Sequence, residues 1–300
     1  MDWRNEIKAA RARIAGHARV TPVTKLTLAG HEVSLKLEQI QHTGSFKARG
    51  AFNTLLSTEV PAAGVVAASG GNHGAAVAYA AASLGHPAHI FVPEVAGPAK
   101  IALIERTGAT CHVVPGLYAD AMEAARAHEA ATGAMQIHAY DAVPTVAGQG
   151  TCFAEWDAQG LDAEDVLIAV GGGGLIAGAL AWWGGARRVV AVEPEQTCAL
   201  NAALKAGAPV DVDVSGVGAN ALGAKRIGSI CFDLAQGIDS VTVPDDAILE
   251  AQRVLWQEAR QLVEPAGACA LAGLLCGAWV PKGPVAVLVC GANPAPDPLG

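Results

Sequence analysis

Between residues 60 and 140 the chain repeats one unit, a short apolar run followed by a turn and a longer stretch with apolar residues at helical spacing. Gly64 to Ala68, His89 to Val92, Thr110 to Val114 and Met135 to His138 read as strands. Gly74 to Leu84, Pro98 to Thr107 and Tyr118 to Ala131 read as the helices between them. Parallel neighbours need a long crossover, and a helix is the crossover this spacing supplies, so the alternation dictates an α/β fold with helices on the faces of a parallel sheet. After Asp141 it resumes: helix 144–158, strand 166–170, helix 175–183, strand 189–192 and a helix near 196–206. Residues 208–240 are less regular. From Asp245 a helix runs to about Gln261, another from Ala266 to Cys276, and Val285 to Val289 is a last strand. No linker rich in Pro, Gly or Ser separates the two runs. Two domains would therefore share interleaved chain, 1–55 with 143–300 as the larger and 56–142 as the smaller.

Val166 to Ala186 carries no charge and is long enough for a membrane span, but Gly171 to Gly174 interrupt it, which favours strand, glycine loop and helix. The N-terminal Asp2, Arg4, Glu6 and Lys8 suit an amphipathic surface helix and not a signal peptide. A net charge of -8 with scattered Lys and Arg gives no basic stripe, which argues against nucleic acid or an anionic membrane as partner and for a small molecule. Seven cysteines without a C-x-x-C pair indicate a reducing, cytoplasmic setting.

Leu35 and Leu37 alternate with Lys36 and Glu38, the period of a half-buried strand, and Ser45 to Leu56 reads as a helix entered through Thr43-Gly44-Ser45. Lys47 then stands in the first helical turn, where the positive end of the macrodipole repels a cation. The position suits an amine that is neutral or covalently consumed, as in a Schiff base; the plain alternative is a lysine snorkelling into solvent. Open α/β sheets bind ligands beyond the carboxyl ends of their strands, and three loops stand there. Ser69-Gly70-Gly71-Asn72-His73-Gly74 could cradle a carboxylate or be an ordinary tight turn. Gly171 to Gly174 offer bare amides to a phosphate. In Cys290-Gly291-Ala292-Asn293, Cys290 is either a small buried hydrophobe or a weak partner for a ring nitrogen.

Taken together, Thr43 to Ala51, Ser69 to Gly74, Ala147 to Thr151, Val170 to Gly178, Val192 to Pro194, Val263 to Ala268 and Cys290 to Asn293 resemble the fold-type II pyridoxal-phosphate (PLP) enzymes, and among them the serine/threonine dehydratase and serine racemase group. The resemblance implies a two-domain fold like tryptophan synthase β, each domain a mostly parallel open sheet, with pyridoxal 5'-phosphate in the cleft between them. By the same similarity Lys47 is the covalent anchor and the base for the substrate α-proton, and Phe46 packs beside the ring. Asn72 bonds the 3-hydroxyl, Gly171, Gly172, Gly173, Gly174 and Leu175 hold the phosphate, and Cys290 meets the ring nitrogen. Ser69, Gly70, Gly71 and the amides of Asn72 and His73 would hold the substrate carboxylate.

The implied reaction is dehydration and deamination of L-threonine, L-serine or a related β-hydroxy amino acid to a 2-oxo acid and ammonia, by a homodimer. Serine racemase is the alternative, and a non-catalytic amino-acid-binding protein on the same fold is the alternative of another class. Three positions depart from the group. Gly70 replaces the serine that racemases use on the opposite cofactor face. Ala199 replaces the second carboxylate of a divalent-cation site that would include Glu193. Asn220-Ala221 replace an Asp-Ser pair of many bacterial relatives. No regulatory domain is expected after about residue 293.

Overall fold

The computed structural model describes residues 1–293; the stretch after Asn293, expected to hold no regulatory domain, lies outside them. The strands, in chain order, are β1 Val23–Leu28, β2 His31–Leu37, β3 Val65–Ala68, β4 Ala88–Pro93, β5 Thr110–Val114, β6 Met135–Gln136, β7 Asp165–Ala169, β8 Arg188–Pro194, β9 Asp239–Val243 and β10 Val285–Val289. They form a six-stranded sheet of order β1-β2-β10-β7-β8-β9 and a four-stranded sheet of order β5-β4-β3-β6. Among the strand pairs of the described residues, only β1–β2 is antiparallel. The α/β class with mostly parallel sheets is therefore as the alternation dictates.

In the large sheet β10 lies between β2 and β7, with Val287 opposite Leu35 on one side and Leu167 on the other. Both faces of β7 and β10 are covered, which is why Asp165–Ala169 and Val285–Val289 read as nearly continuous apolar runs. The helices of the described residues are α1 Trp3–Arg13, α2 Lys47–Ser57, α3 Asn72–Ser83, α4 Pro98–Glu105, α5 Tyr118–Thr132, α6 Val143–Ala158, α7 Gly174–Trp183, α8 Ala199–Ala206, α9 Ala219–Leu222, α10 Ser229–Leu234, α11 Asp245–Ala259 and α12 Pro265–Leu275. One core packs Phe153 and Trp156 against Leu167 and Val287; a second packs Phe52 of α2 with Val77 of α3 and Ile90 of β4.

The Ala147-to-Thr151 segment is a packing device. A Cβ on Gly148 would lie 2.6 Å from Gly50 Cα, and one on Gly178 would lie 2.6 Å from Gly150 N, so α6 touches both α2 and α7 backbone to backbone. That contact locks the helix carrying Lys47 to the helix that follows the glycine loop.

Two readings of the sequence need correction. The alternation in β2 does not mark a solvent face: Lys36 and Glu38 are each 0% exposed. They are paired in the interior, Lys36 Nζ with Glu155 Oε1 at 2.6 Å and Glu38 Oε2 with Arg49 Nε at 2.7 Å, which a strand pattern alone cannot reveal. The irregular stretch 208–240 also holds α10 and the start of β9, an edge strand whose exposed residues weaken its apolar signal.

Candidate active site

The carboxyl ends of β2, β10, β7 and β3 bring the singled-out loops to one cleft. Thr43 (φ 59) and Gly44 (φ 74) turn the chain after β2, and Ser45 bridges Gly291 in antiparallel fashion. Phe46 N donates to Cys290 O at 3.2 Å and Ala292 N to Gly44 O at 2.8 Å. The Lys47 loop and the Cys290 loop, far apart in sequence, are therefore one structural unit.

Lys47 is the first residue of α2 and half-buried. Its Nζ donates to Ala139 O at 2.7 Å and lies 5.2 Å from the centroid of the Phe46 ring. Among the described residues it forms no ion pair. Burial lowers its pKa to about 8, with Cys290 opposing. Burial and then the Lys47 charge push His73 down to about 3, so this imidazole is neutral; its Nε2 is 2.9 Å from Ile137 O.

The glycine loop ends in Gly173, whose φ of +91° suits glycine, and leads into the first turn of α7. The loop is packed tightly from behind. A Cβ on Gly172 would lie 2.3 Å from the Tyr140 ring, one on Gly173 2.5 Å from Cys231 Sγ, and one on Gly171 2.9 Å from Leu222 Cα. Among the described residues, no backbone amide from Gly171 to Gly174 donates to a protein acceptor. Free amides at a helix N-terminus, walled by a phenol, a thiol and leucine, make a cradle for an anion.

Across the cleft, Ser69 Oγ accepts from Gly71 N at 3.2 Å, and Asn72 begins α3. Gly70 is pressed against the small sheet, where a Cβ would lie 2.5 Å from Ala96 Cβ and 2.9 Å from Val92 Cγ1. A cavity is lined by Gly70, Gly71, Asn72, Asn220, Glu264 and Asn293. Asn72 Nδ2 donates to Glu264 Oε1 at 2.6 Å, and Asn72 Oδ1 accepts from Asn293 Nδ2. Cys290 Sγ donates to Ala266 O at 3.3 Å, and burial, followed by the Glu264 carboxylate, raises the pKa of this thiol and keeps it protonated.

Lys47, Phe46, Asn72, Ser69 and the glycine loop thus surround the same cleft, as do Gly71, His73 and Cys290. Leu175, buried behind the loop, can offer only its backbone. Glu193 points elsewhere: its oxygens accept from Leu200 N at 2.8 Å and Asn201 N at 2.7 Å at the start of α8, and burial raises its pKa to about 7. Among the described residues no group of three His, Cys, Asp or Glu side chains is set to hold a metal ion. Residue-by-residue reading gave no role to Glu264 or Asn293. The available signal for Glu264 was an acidic residue directly before a helix-starting proline.

The arrangement fits pyridoxal phosphate. It has an amine without a carboxylate partner and a neutral cradle of free amides for a phosphate, with Phe46 beside the amine and the Cys290 loop bonded to the Lys47 loop.

Comparison with known proteins agrees. The chain is 35% identical over 300 residues to phenylserine dehydratase from Ralstonia pickettii, covering 96% of this chain and 92% of that one. Its fold matches the T.th. threonine deaminase with a TM-score of 0.91 and 36% identity, covering 98% of this chain and 99% of the other. It matches maize serine racemase with a TM-score of 0.92 and 30% identity, covering 97% and 93%. The family model of the pyridoxal-phosphate dependent enzymes spans residues 14–291, and the chain belongs to that family.

Proposed function

We propose that the protein is a lyase that takes water and then ammonia from a β-hydroxy amino acid, L-threonine, L-serine or a relative such as phenylserine, and releases the 2-oxo acid. When bound, pyridoxal phosphate supplies the electron sink for the carbanion. The chain supplies the remainder. Gly171 to Gly174 and the start of α7 hold an anionic group through backbone amides, and Leu175 seals them from behind. Ser69 and the amides that open α3, at Asn72 and His73, hold the substrate carboxylate, with Gly70 and Gly71 forming the turn between them. Phe46 walls the ring slot. Asn72 offers a hydrogen-bond donor there, and Cys290, kept protonated, offers no charge to the ring nitrogen.

Lys47 is the anchor and the base. The observation that carries this reading is the Lys47 amine itself: at the wrong end of a helix for a cation, without an acidic partner, and lowered to about 8. Such an amine is neutral often enough near pH 7 to attack a carbonyl, and once freed it takes the substrate α-proton. On the opposite face Gly70 brings no proton carrier, so net loss of the β-hydroxyl is favoured over racemisation. The lobes of the enzyme are taken as 1–55 with 143–300 and 56–142, a division supported by the segregation of strands into two sheets.

A homodimer, which the family resemblance implies, and a cytoplasmic setting, which the seven free cysteines suit, complete the reading. No helix among the described residues is long and apolar enough to cross a membrane. The test is 2-oxo acid release by the PLP-loaded protein from L-threonine, L-serine, hydroxyaspartate and phenylserine. At least one is turned over, and Lys47→Ala abolishes it. A protein that takes up no PLP, or a Lys47→Ala variant that still releases keto acid, overturns the proposal.

A further inference from the structure

Asn72 is held in one orientation by a buried carboxylate from the other side of the cleft. Glu264, 6% exposed, directly precedes α12, and its backbone N donates to Gly291 O at 3.3 Å. Its Oε1 accepts from Asn72 Nδ2 at 2.6 Å. Gly291 is what permits this approach, since a Cβ there would lie 2.1 Å from Glu264 Oε1 and 3.3 Å from Asn72 Nδ2. Glu264 Oε1 therefore faces the NH₂ side of the Asn72 amide and holds it by a hydrogen bond that only an acceptor at this reach can receive. The carbonyl side is itself taken by Asn293 Nδ2, which also donates to Thr43 O at 2.9 Å. With its oxygen and one N–H engaged, Asn72 has a single N–H left to give.

Resting on the proposed lyase reading, we infer that Glu264 is a positioning residue: it fixes Asn72 as a hydrogen-bond donor toward the oxygen substituent of the cofactor ring, and joins α3 to the large sheet while doing so. Glu264 acts through Asn72 and touches no reacting atom. A mixed orientation of Asn72 would turn toward that ring oxygen a carbonyl, which can only accept and has no N–H to give.

The test is a double-mutant cycle on PLP binding to the apoprotein, followed by absorbance, with folding checked by thermal melting. Asn72→Ala and Glu264→Ala each weaken PLP binding by roughly ten- to hundredfold, the loss of one hydrogen bond to a charged group. The double variant is no weaker than the worse single one, because the two residues form one device. Both single variants move the pH midpoint of the bound-cofactor absorbance band in the same direction. Glu264→Gln keeps an acceptor at the same reach and recovers most of the affinity, and it serves as the second probe if Glu264→Ala does not fold. Full additivity of the two losses, or wild-type affinity and midpoint in Glu264→Ala, overturns the inference, as does a Glu264→Gln variant as weak as Glu264→Ala. Failure of the wild-type chain to bind PLP would instead sink the lyase reading, so the two failures are distinguishable.

Discussion

Arg49 grips Glu38 with two parallel hydrogen bonds, Nε to Oε2 at 2.7 Å and Nη2 to Oε1 at 2.8 Å, with the two side chains 2% and 0% exposed. Arg49 stands two residues beyond Lys47 in α2, and its Nη2 also reaches both oxygens of Glu155 at 3.0 Å. Lys36 Nζ completes the group on Glu155 Oε1 at 2.6 Å. Two cations and two anions thus neutralise one another between β2, α2 and α6. Arg49→Met leaves both carboxylates buried with too little positive charge, a defect that costs about 3–5 kcal/mol. Arg49→Lys keeps the charge but loses the fork and is expected to recover part of that loss. Denaturant unfolding of the apoprotein measures both; an Arg49→Met protein as stable as the parent would show that the network is dispensable.

The same pair sets the acid limit of the fold. Burial pushes the Glu38 carboxyl up, but Arg49 beside it more than compensates and holds it below its ordinary value of 4.5. A depressed carboxyl contributes stability that is complete above its unfolded value and lost as pH falls through the folded one. Stability of the apoprotein should therefore fall as pH drops below about 4.5, and Glu38→Gln should flatten that part of the profile.

For Lys47 the sign is opposite. Its folded value of about 8 lies below the free lysine value of 10.5, so between those values the unfolded chain binds more protons and the apoprotein gains stability as pH rises. Lys47→Met removes a half-buried, partly desolvated cation, so it should raise the melting temperature of the apoprotein at pH 7, with the gain shrinking as pH approaches 10.5. In the parent, the rate at which apoprotein captures PLP should climb about tenfold per pH unit below about 8 and level off above it, following the neutral amine. A capture rate independent of pH from 6 to 9 would contradict this, read on the scale of about one unit either side of the amine value.

Lys47 was legible because a cation at a helix start breaks a local electrostatic rule, and the glycine loop because four glycines between strand and helix carry no apolar period. The parallel sheet followed from alternation alone. Lys36 was misread because the strand period reports which residues share a face, not whether a second layer covers that face; Glu155 of α6, Gln159 and the Thr21 carbonyl meet its amine from distant parts of the chain. Glu264 was legible as part of a motif but not as a partner of Asn72, since 192 residues separate them and Asn72 follows a strand of the small sheet while Glu264 precedes a helix packed on the large one. Residues 219–234 escaped for a simpler reason: α9 and α10 are too short to show a helical period.

Glu193 bears on metal dependence. Both its oxygens are spent on the amides of Leu200 and Asn201, and Ala199 beside them brings no oxygen ligand from its side chain. A hard cation takes six or more oxygen ligands. Removal of divalent ions with a chelator should leave turnover and melting temperature unchanged, and added magnesium or calcium should change neither. A rise in melting temperature on adding either ion would show that Glu193 can exchange its helix amides for a metal.

In the proposed lyase Gly70 brings no proton carrier to the cleft, and its surroundings say what replacing it would do. Any side chain there starts toward Ala96 Cβ, 2.5 Å from where its own Cβ would stand, and toward Val92 Cγ1 at 2.9 Å. Both neighbours are apolar, so a serine hydroxyl entering this wall loses water and finds no partner from either of them. Gly70→Ser should therefore destabilise the protein by about 1–3 kcal/mol through overpacking and fail to deliver a proton carrier to the cleft. Shaving the wall with Ala96→Gly should restore part of the stability without conferring racemase activity, because the direction of the Cβ is unchanged. Chiral analysis of serine recovered from partial turnover in heavy water reads this directly. D-serine from Gly70→Ser at a rate approaching that of pyruvate would mean that the backbone at this turn reorients to aim the hydroxyl at the substrate, and the assignment of elimination to the missing side chain would then stand on that one residue.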